Sequence, residues 1–249
     1  ISNYNTQLKK HFRGYKELIS YSNKYFYQDN LEVMKIRGKA IDDVIKFSFV
    51  EPSTEDEIYP NTNMKEIDFI ISELKKLKDE KKAVSVGIIT PHTNQQKLLA
   101  EKINALPERD YYFDALALKI MTFDTCQGEE RDIIFYSMVA SKQSDKLWGV
   151  FIKDLAKVDI EEDGQIKAQR LNVGFSRAKE CIHFVLSQPL DDFTGSVGDA
   201  LRHYLYTLEE AKKEKEVSKV DAKSAKEPEV LNWFYQTKFW KENKDAIEF

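Results

Sequence analysis

The sequence is poor in the residues that staple a fold or coordinate a metal. Its 249 residues include two cysteines, Cys126 and Cys181, far apart and in no metal-type spacing. That excludes a disulfide framework and a cysteine-based zinc site. Both are expected as small buried hydrophobes, reduced in a cytoplasmic setting. The nine glycines are scattered, and none belongs to a GxxxxGK[ST] phosphate cradle. HExxH and the nucleophile elbow are also missing, so no metal is expected and a complete nucleotide-hydrolysing site is not expected on this chain. No apolar run is long enough to cross a bilayer and no signal peptide opens the chain, so no membrane partner is expected. Neither sign of charge dominates. With 38 basic and 42 acidic residues the net charge is −4, which excludes coating nucleic acid by bulk charge. Any such contact must come from a local groove. The chain opens on Ile1 rather than methionine and is read as a piece of a longer protein.

Apolar residues make up 42% of the chain and aromatics 12%, enough for a sizeable core. Residues 8–27 read as a helix or helix–turn–helix, and 33–50 as a partly extended connector. Asn61, Thr62 and Asn63 offer caps for a helix whose Ile67, Ile70, Ile71, Leu74 and Leu77 fall on one face. AVSVGIIT (83–90) suits a strand buried on both faces. Thr90 and Pro91 then open a helix, with proline at its first position and Leu98, Leu99, Ile103 and Leu106 on its apolar side. Further strands are expected at 118–123, 132–140 and 181–187, with helices at 168–178 and 197–211. Strands alternating with helices imply an α/β fold, a parallel sheet with helices on both faces. The expected organisation is one domain over 1–208, a charged linker or helix extension over 209–229, and an aromatic segment over 230–249. The last is either packing or the start of a further domain.

Three segments hold candidate chemistry. MTFDTCQGEERD (121–132) crowds polar side chains beside a buried strand, at the kind of strand end where parallel sheets bind ligands. A polar turn with Gly128 in the left-handed region fits this segment equally well. QRLNVGFSRAKECIHFV (169–185) carries Arg170, Arg177 and Lys179 on a short helix that runs into a strand. The seven-residue spacing of Arg170 and Arg177 puts them on one helical face. A rigidly held arginine suits phosphate oxygens, and an ion-paired surface arginine is the plain alternative. LKKHFRGYKELISYSNKYFY (8–27) embeds Arg13 among aromatics, where it needs a partner. A core carboxylate is the plain reading.

Together these segments resemble a family. HFR (11–13) with Tyr25, Phe26 and Tyr27 looks like a QYR or HYR motif running to FY. ITPHTNQQ (89–96) is similar to a TPY…Q motif, FDTCQGEERDIIFYSMVAS (123–141) to motif V, and RLNVGFSRAK (170–179) to motif VI. Their order resembles that of superfamily 1 helicases, in the 1B group that includes the nonsense-mediated-decay helicases and bacterial relatives. The resemblance is to their second, C-terminal RecA-like motor domain. It implies that Arg13 and Arg177 are catalytic arginines directed at the γ-phosphate. It implies ATP contacts from Gln127, Gly128, Glu130 and Arg170, and nucleic-acid contacts from Thr90, His92, Thr122 and Thr125. The implied cofactor is ATP with Mg2+, bound mainly by an N-terminal RecA-like domain of the same protein. The other partner is single-stranded nucleic acid, DNA slightly ahead of RNA. Departures are His11 for Gln, Gly14 and Tyr15 for Met-His, His92 for Tyr, and Glu129 where a basic residue is frequent. A non-catalytic binding module on a degenerate helicase fold is the competing reading, and the retained Arg13, Glu130 and Arg177 argue against it.

Overall fold

The structure, a computed structural model, describes residues 10–52, 59–139 and 167–224. The chain divides into two compact units, Ile1–Leu208 and Glu209–Phe249. The aromatic segment expected over 230–249 lies outside the described residues.

The first unit opens with β1 (Lys10–His11), α1 (Lys16–Phe26) and β2 (Glu32–Val33), and β1 and β2 pair in parallel. The expected helix or helix–turn–helix is therefore a two-residue strand followed by one helix. The main sheet has five parallel strands: β3 (Ile45–Phe49), β4 (Val86–Thr90), β5 (Lys119–Thr122), β6 (Arg131–Ser137) and β7 (Ala178–Leu186). Their order across the sheet is β3-β7-β6-β4-β5. Four of these strands match expected segments. β3 falls in the stretch expected as a connector. It is an edge strand bonded only to β7, and its alternating IKFSF lacks the continuous apolar run that marks a strand covered on both faces.

Helices cover both faces, as expected for a RecA-like α/β domain. On one side α2 (Met64–Asp79) and α3 (Thr93–Asn104) bury Ile67, Ile70, Leu74, Leu98, Leu99 and Ile103 against Val86, Ile88, Phe135 and Val185. Asn63 is the cap of α2, its side chain accepting from the Glu66 amide at 3.0 Å. Pro91 is not the first residue of α3. The helix begins at Thr93 with His92 at its cap, because Thr90 is still held in β4.

The other face is an aromatic core. Phe175, at the end of α4 (Lys167–Phe175), meets Tyr21, Phe123, Tyr136, Phe184 and Tyr204 at centroid distances of 5.1–5.8 Å. Tyr204 belongs to α5 (Gly195–Ser224), which covers the helix expected over 197–211. In the second unit the described part is the end of that helix, where Lys213 pairs with Glu210 at 2.9 Å. Cys126 and Cys181 are buried, and burial pushes both thiols up to about 11. Among the described residues no helix is long and apolar enough to cross a membrane.

α4 is shorter than expected. It ends at Phe175, so Arg177 lies in the turn after it and Lys179 lies on β7. Arg170 and Arg177 therefore do not share a helical face, although seven residues separate them. Gly174, one residue before the helix ends, has no room for a side chain: a Cβ there would sit 2.2 Å from the Phe123 ring. Gly174→Ala should destabilise the domain by about 1–3 kcal/mol through overpacking, read as a lower urea midpoint. An unchanged midpoint would show that Phe123 is free to move.

Candidate functional site

The polar segment 123–130 follows β5 and precedes β6. Both strands are parallel to β4, with Thr122 in register with Thr90 and Tyr136 in register with Ile89. Thr122 is therefore level with the end of β6, whereas Arg131 begins it. Eight residues must return from one sheet edge to the other, where a parallel connection usually takes a dozen or more. They do so as two consecutive turns, closed by Thr125 N–H to Thr122 O at 3.1 Å and Glu129 N–H to Cys126 O at 3.2 Å. Phe123 and Cys126 are buried beneath the crossing.

The crossing splits the expected site in two. Thr90, His92, Thr122 and Thr125 lie at the C-terminal edge of the sheet. Thr90 is fully buried, and His92 and Thr122 are nearly so. The Thr125 hydroxyl accepts from the Thr122 amide at 2.9 Å, closing the first turn, and Thr125 alone of the four is exposed.

Arg13, Glu130 and Arg177 gather at the opposite edge, where β6 and β7 begin. The segment starts at the strand C-termini, the expected position, and ends at the strand N-termini. Arg13 pairs with Glu130, Nη2 to Oε1 at 2.6 Å, with 39% and 34% of the two side chains exposed. The partner that Arg13 needs is thus another candidate site residue. Arg177 folds back on α4: its Nε donates to Val173 O at 2.6 Å and its Nη2 to Ser176 Oγ at 2.8 Å. Its carbonyl accepts from the Arg131 amide at 3.2 Å, which ties the start of β7 to the residue after Glu130. Arg170 reaches the crossing itself and pairs with Asp124 at 2.8 Å.

Gln127 and Gly128 form the exposed second turn, with Gly128 at φ +80°, a conformation open to glycine at little cost. Glu129, standing where a basic residue is frequent in the resembled motif, bonds Lys119 at 2.5 Å and Arg131 at 3.2 Å. The Lys119 bond holds its carboxyl below the usual range. The exchange of sign at this position is thus absorbed locally. His11 is likewise accommodated. Its Nε2 accepts from the Gly14 amide at 3.2 Å, a bond that a glutamine carbonyl could also accept. Burial, with Arg13 beside it, lowers its pKa and keeps the ring neutral.

The base of this edge is set by Glu180 on β7, which the sequence reading did not single out. Glu180 accepts from Tyr15 at 2.5 Å, from Lys35 and from Lys39 at 3.1 Å. Lys35 also donates to the carbonyls of Lys179, at 3.2 Å, and Arg13, at 3.4 Å. One cluster thereby holds the Arg13 turn against β7. No spacing in the sequence connects residues 15, 35, 39 and 180.

Residues 2–188 match the AAA domain family, and the chain belongs to that family. Among solved structures, it is similar to the C-terminal domain of a possible DNA helicase from Lactobacillus plantarum WCFS1. The identity is 12%, the TM-score 0.38, and the match covers 70% of this chain and 86% of that one. No curated protein matches it.

Burial alone would raise the Glu180 pKa, but Lys35, Tyr15 and Lys39 outweigh burial and bring it to about 2. A depressed carboxyl contributes stability that is present above its unfolded value and lost as pH falls through its folded one. The stability gap between wild type and Glu180→Gln should therefore be full near neutrality. It should shrink as pH falls from about 4.5 towards 2. Urea midpoints over that range provide the check, and a constant gap would contradict the assignment.

Proposed function

We propose that this chain is the C-terminal motor domain of an ATP-dependent superfamily 1 helicase. The observation that carries the reading is the meeting of Arg13, Glu130 and Arg177 at one sheet edge, from segments 117 and 47 residues apart (130 − 13 and 177 − 130). Membership in the AAA domain family and the order of the four motifs support it. In this reading residues 1–208 form the motor domain, 209–229 a linker or helix extension, and 230–249 the start of a further segment.

The donor set fits half of a nucleotide site. Two guanidiniums offer forked donors to phosphate oxygens, and the Glu130 carboxylate can accept from a ribose hydroxyl. The phosphate cradle and the Mg2+ acid would come from an N-terminal RecA-like domain, since no glycine–lysine loop is present here. Arg13 and Arg177 are the proposed arginine fingers, which stabilise charge developing on the transferred phosphoryl group. Gln127 and Gly128 would line the site from the exposed turn, and Arg170 would hold the crossing through Asp124.

Single-stranded nucleic acid, DNA ahead of RNA, would track the C-terminal edge. Because Thr90, His92 and Thr122 are buried, contact there falls to Thr125 and to backbone amides, which hold phosphates without reading sequence. A cytoplasmic setting fits the two buried free thiols.

The test is nucleic-acid-stimulated ATP hydrolysis by the full-length protein. Arg177→Ala should lower the turnover number by about 10³-fold or more, with a smaller effect on nucleotide affinity. Full activity in that variant would refute the finger assignment. Absence of any ATPase in the wild type would favour a binding module instead.

A further inference from the structure

Glu66 is a fully buried carboxylate, and its bonded partners are all neutral. Its Oε2 accepts from Ser137 Oγ at 2.7 Å, and its Oε1 accepts from Ser187 Oγ at 2.9 Å. The Val139 amide reaches both oxygens, at 3.1 and 3.2 Å. These partners sit at the ends of β6 and β7. Val139 is a β-branched residue at φ +47°, a strained conformation that needs holding.

The direction of the network is fixed. Gln95 of α3 accepts from the Asn63 amide at 2.9 Å and donates to the Asn63 carbonyl at 3.1 Å. A backbone N–H only donates and a carbonyl only accepts, so the Gln95 amide cannot flip. Its Nε2 must then donate to Ser137 Oγ, at 2.9 Å. The Ser137 hydroxyl proton is left for the Glu66 carboxylate, whose Oε2 accepts it. With Glu66 charged, the relay runs from the cap of α2 through α3 and β6 to the carboxylate.

We propose that Glu66 is the positioning residue of the sheet's C-terminal edge, its carboxylate holding the ends of β6 and β7 and the start of α3 in one arrangement. Its expected effect on nucleic acid rests on the function proposed above; its effect on the edge does not. Burial pushes Glu66 up to about 7 against the pull of Ser137, Ser187 and Val139. Proton uptake exchanges charge-assisted bonds for weaker neutral ones, so the grip on Ser137 and Val139 should be tighter at high pH. The groups facing Glu66 are Ser137 and Val139 from β6 and its turn, Ser187 from β7, and Gln95 from α3 through Ser137. His92, at the cap of α3, is a second titratable side chain at this edge.

The experiment is NMR on the full-length protein, following the Glu66 carboxyl carbon and the Val139 amide from acid to mildly alkaline pH. Both should titrate together near pH 7. The Val139 titration should vanish in Glu66→Gln; one that survives there belongs to another group, such as His92, and overturns the proposal. A flat Val139 amide in the wild type overturns it as well. Should Glu66→Gln fold poorly, Ser187→Ala carries the test. Loss of a donor to the charged form should raise the shared midpoint by about one pH unit, and an unmoved midpoint refutes the relay. Single-stranded oligonucleotide affinity should follow the same midpoint. If the amide titrates and affinity does not, the positioning role stands and the placement of nucleic acid at this edge fails.

Discussion

Eight residues have to travel the length of a parallel sheet between the end of β5 and the start of β6, and most of the candidate site depends on how they do it. A crossing this short cannot include a helix, so it lies directly on the aromatic face. Phe123 anchors its first turn among Tyr136 and Phe175, and the absence of a side chain at Gly174 is what lets the ring sit there. Arg170 holds Asp124 from α4, and Glu130 arrives at the far edge within reach of Arg13. A polar segment that leaves one edge and ends at the other can touch ligands at both. The same packing makes each end sensitive to displacement of the other, because a dense core transmits small shifts rather than absorbing them.

The two edges are built on different physics. At the N-terminal edge charges are half-exposed and paired: Arg13 with Glu130, Lys179 with Asp132 at 3.2 Å, Glu180 with two lysines and a tyrosine. An isolated pair of this exposure, such as Arg13 with Glu130, contributes little to stability and exchanges partners readily, which suits groups proposed to meet phosphate; the Glu180 cluster, with three partners on one carboxylate, is the fixed base beside it. At the C-terminal edge Asn63, Glu66, Gln95, Ser137 and Ser187 are buried and bonded to one another or to backbone amides and carbonyls. An unmatched buried donor costs roughly 1–3 kcal/mol, so that network resists rearrangement. A soft charged edge opposite a stiff hydrogen-bonded one is a workable division between a surface that must respond to a ligand and one that must hold its shape.

Much of this was legible in the sequence, for identifiable reasons. β4 shows itself because VGIIT is apolar on both faces, as a strand between two helical layers must be. The cap at Asn63 follows from its place before an amphipathic run. The edge strand β3 was not legible, since half-exposed alternation over five residues does not distinguish an edge strand from an extended connector. The shared face of Arg170 and Arg177 failed because it assumed a helix through residue 178, whereas the chain turns at Ser176 to enter β7. Glu66 was hidden by its own context. Asn63-x-x-Glu66 has the spacing of a capping box, in which the glutamate reaches back to the cap amide. Here Gln95 takes that amide, and Glu66 is released into the core. Only the fold brings residue 95 to residue 63.

The placement of the two arginines bears on how they could act in the proposed motor. Neither guanidinium stands idle. Arg13 is neutralised by Glu130, and Arg177 is spread over the carbonyl of Val173 and the hydroxyl of Ser176. A phosphate would have to outcompete a carboxylate for the first and two neutral acceptors for the second. The second exchange is the easier, because a charged acceptor outbids neutral ones by roughly a factor of two in bond strength. Releasing Arg13 also frees the Glu130 carboxylate to accept a hydroxyl, so one exchange would supply two contacts at once. Arg177 could turn towards a phosphate without disturbing the sheet, since its backbone stays bonded to Arg131 while its side chain moves. Arg13 lies in a turn that Gly14 closes onto His11 and that Lys35 grips by its carbonyl, so its movement must be of the side chain alone. Both arginines thus combine a fixed backbone with a side chain whose present bonds are replaceable.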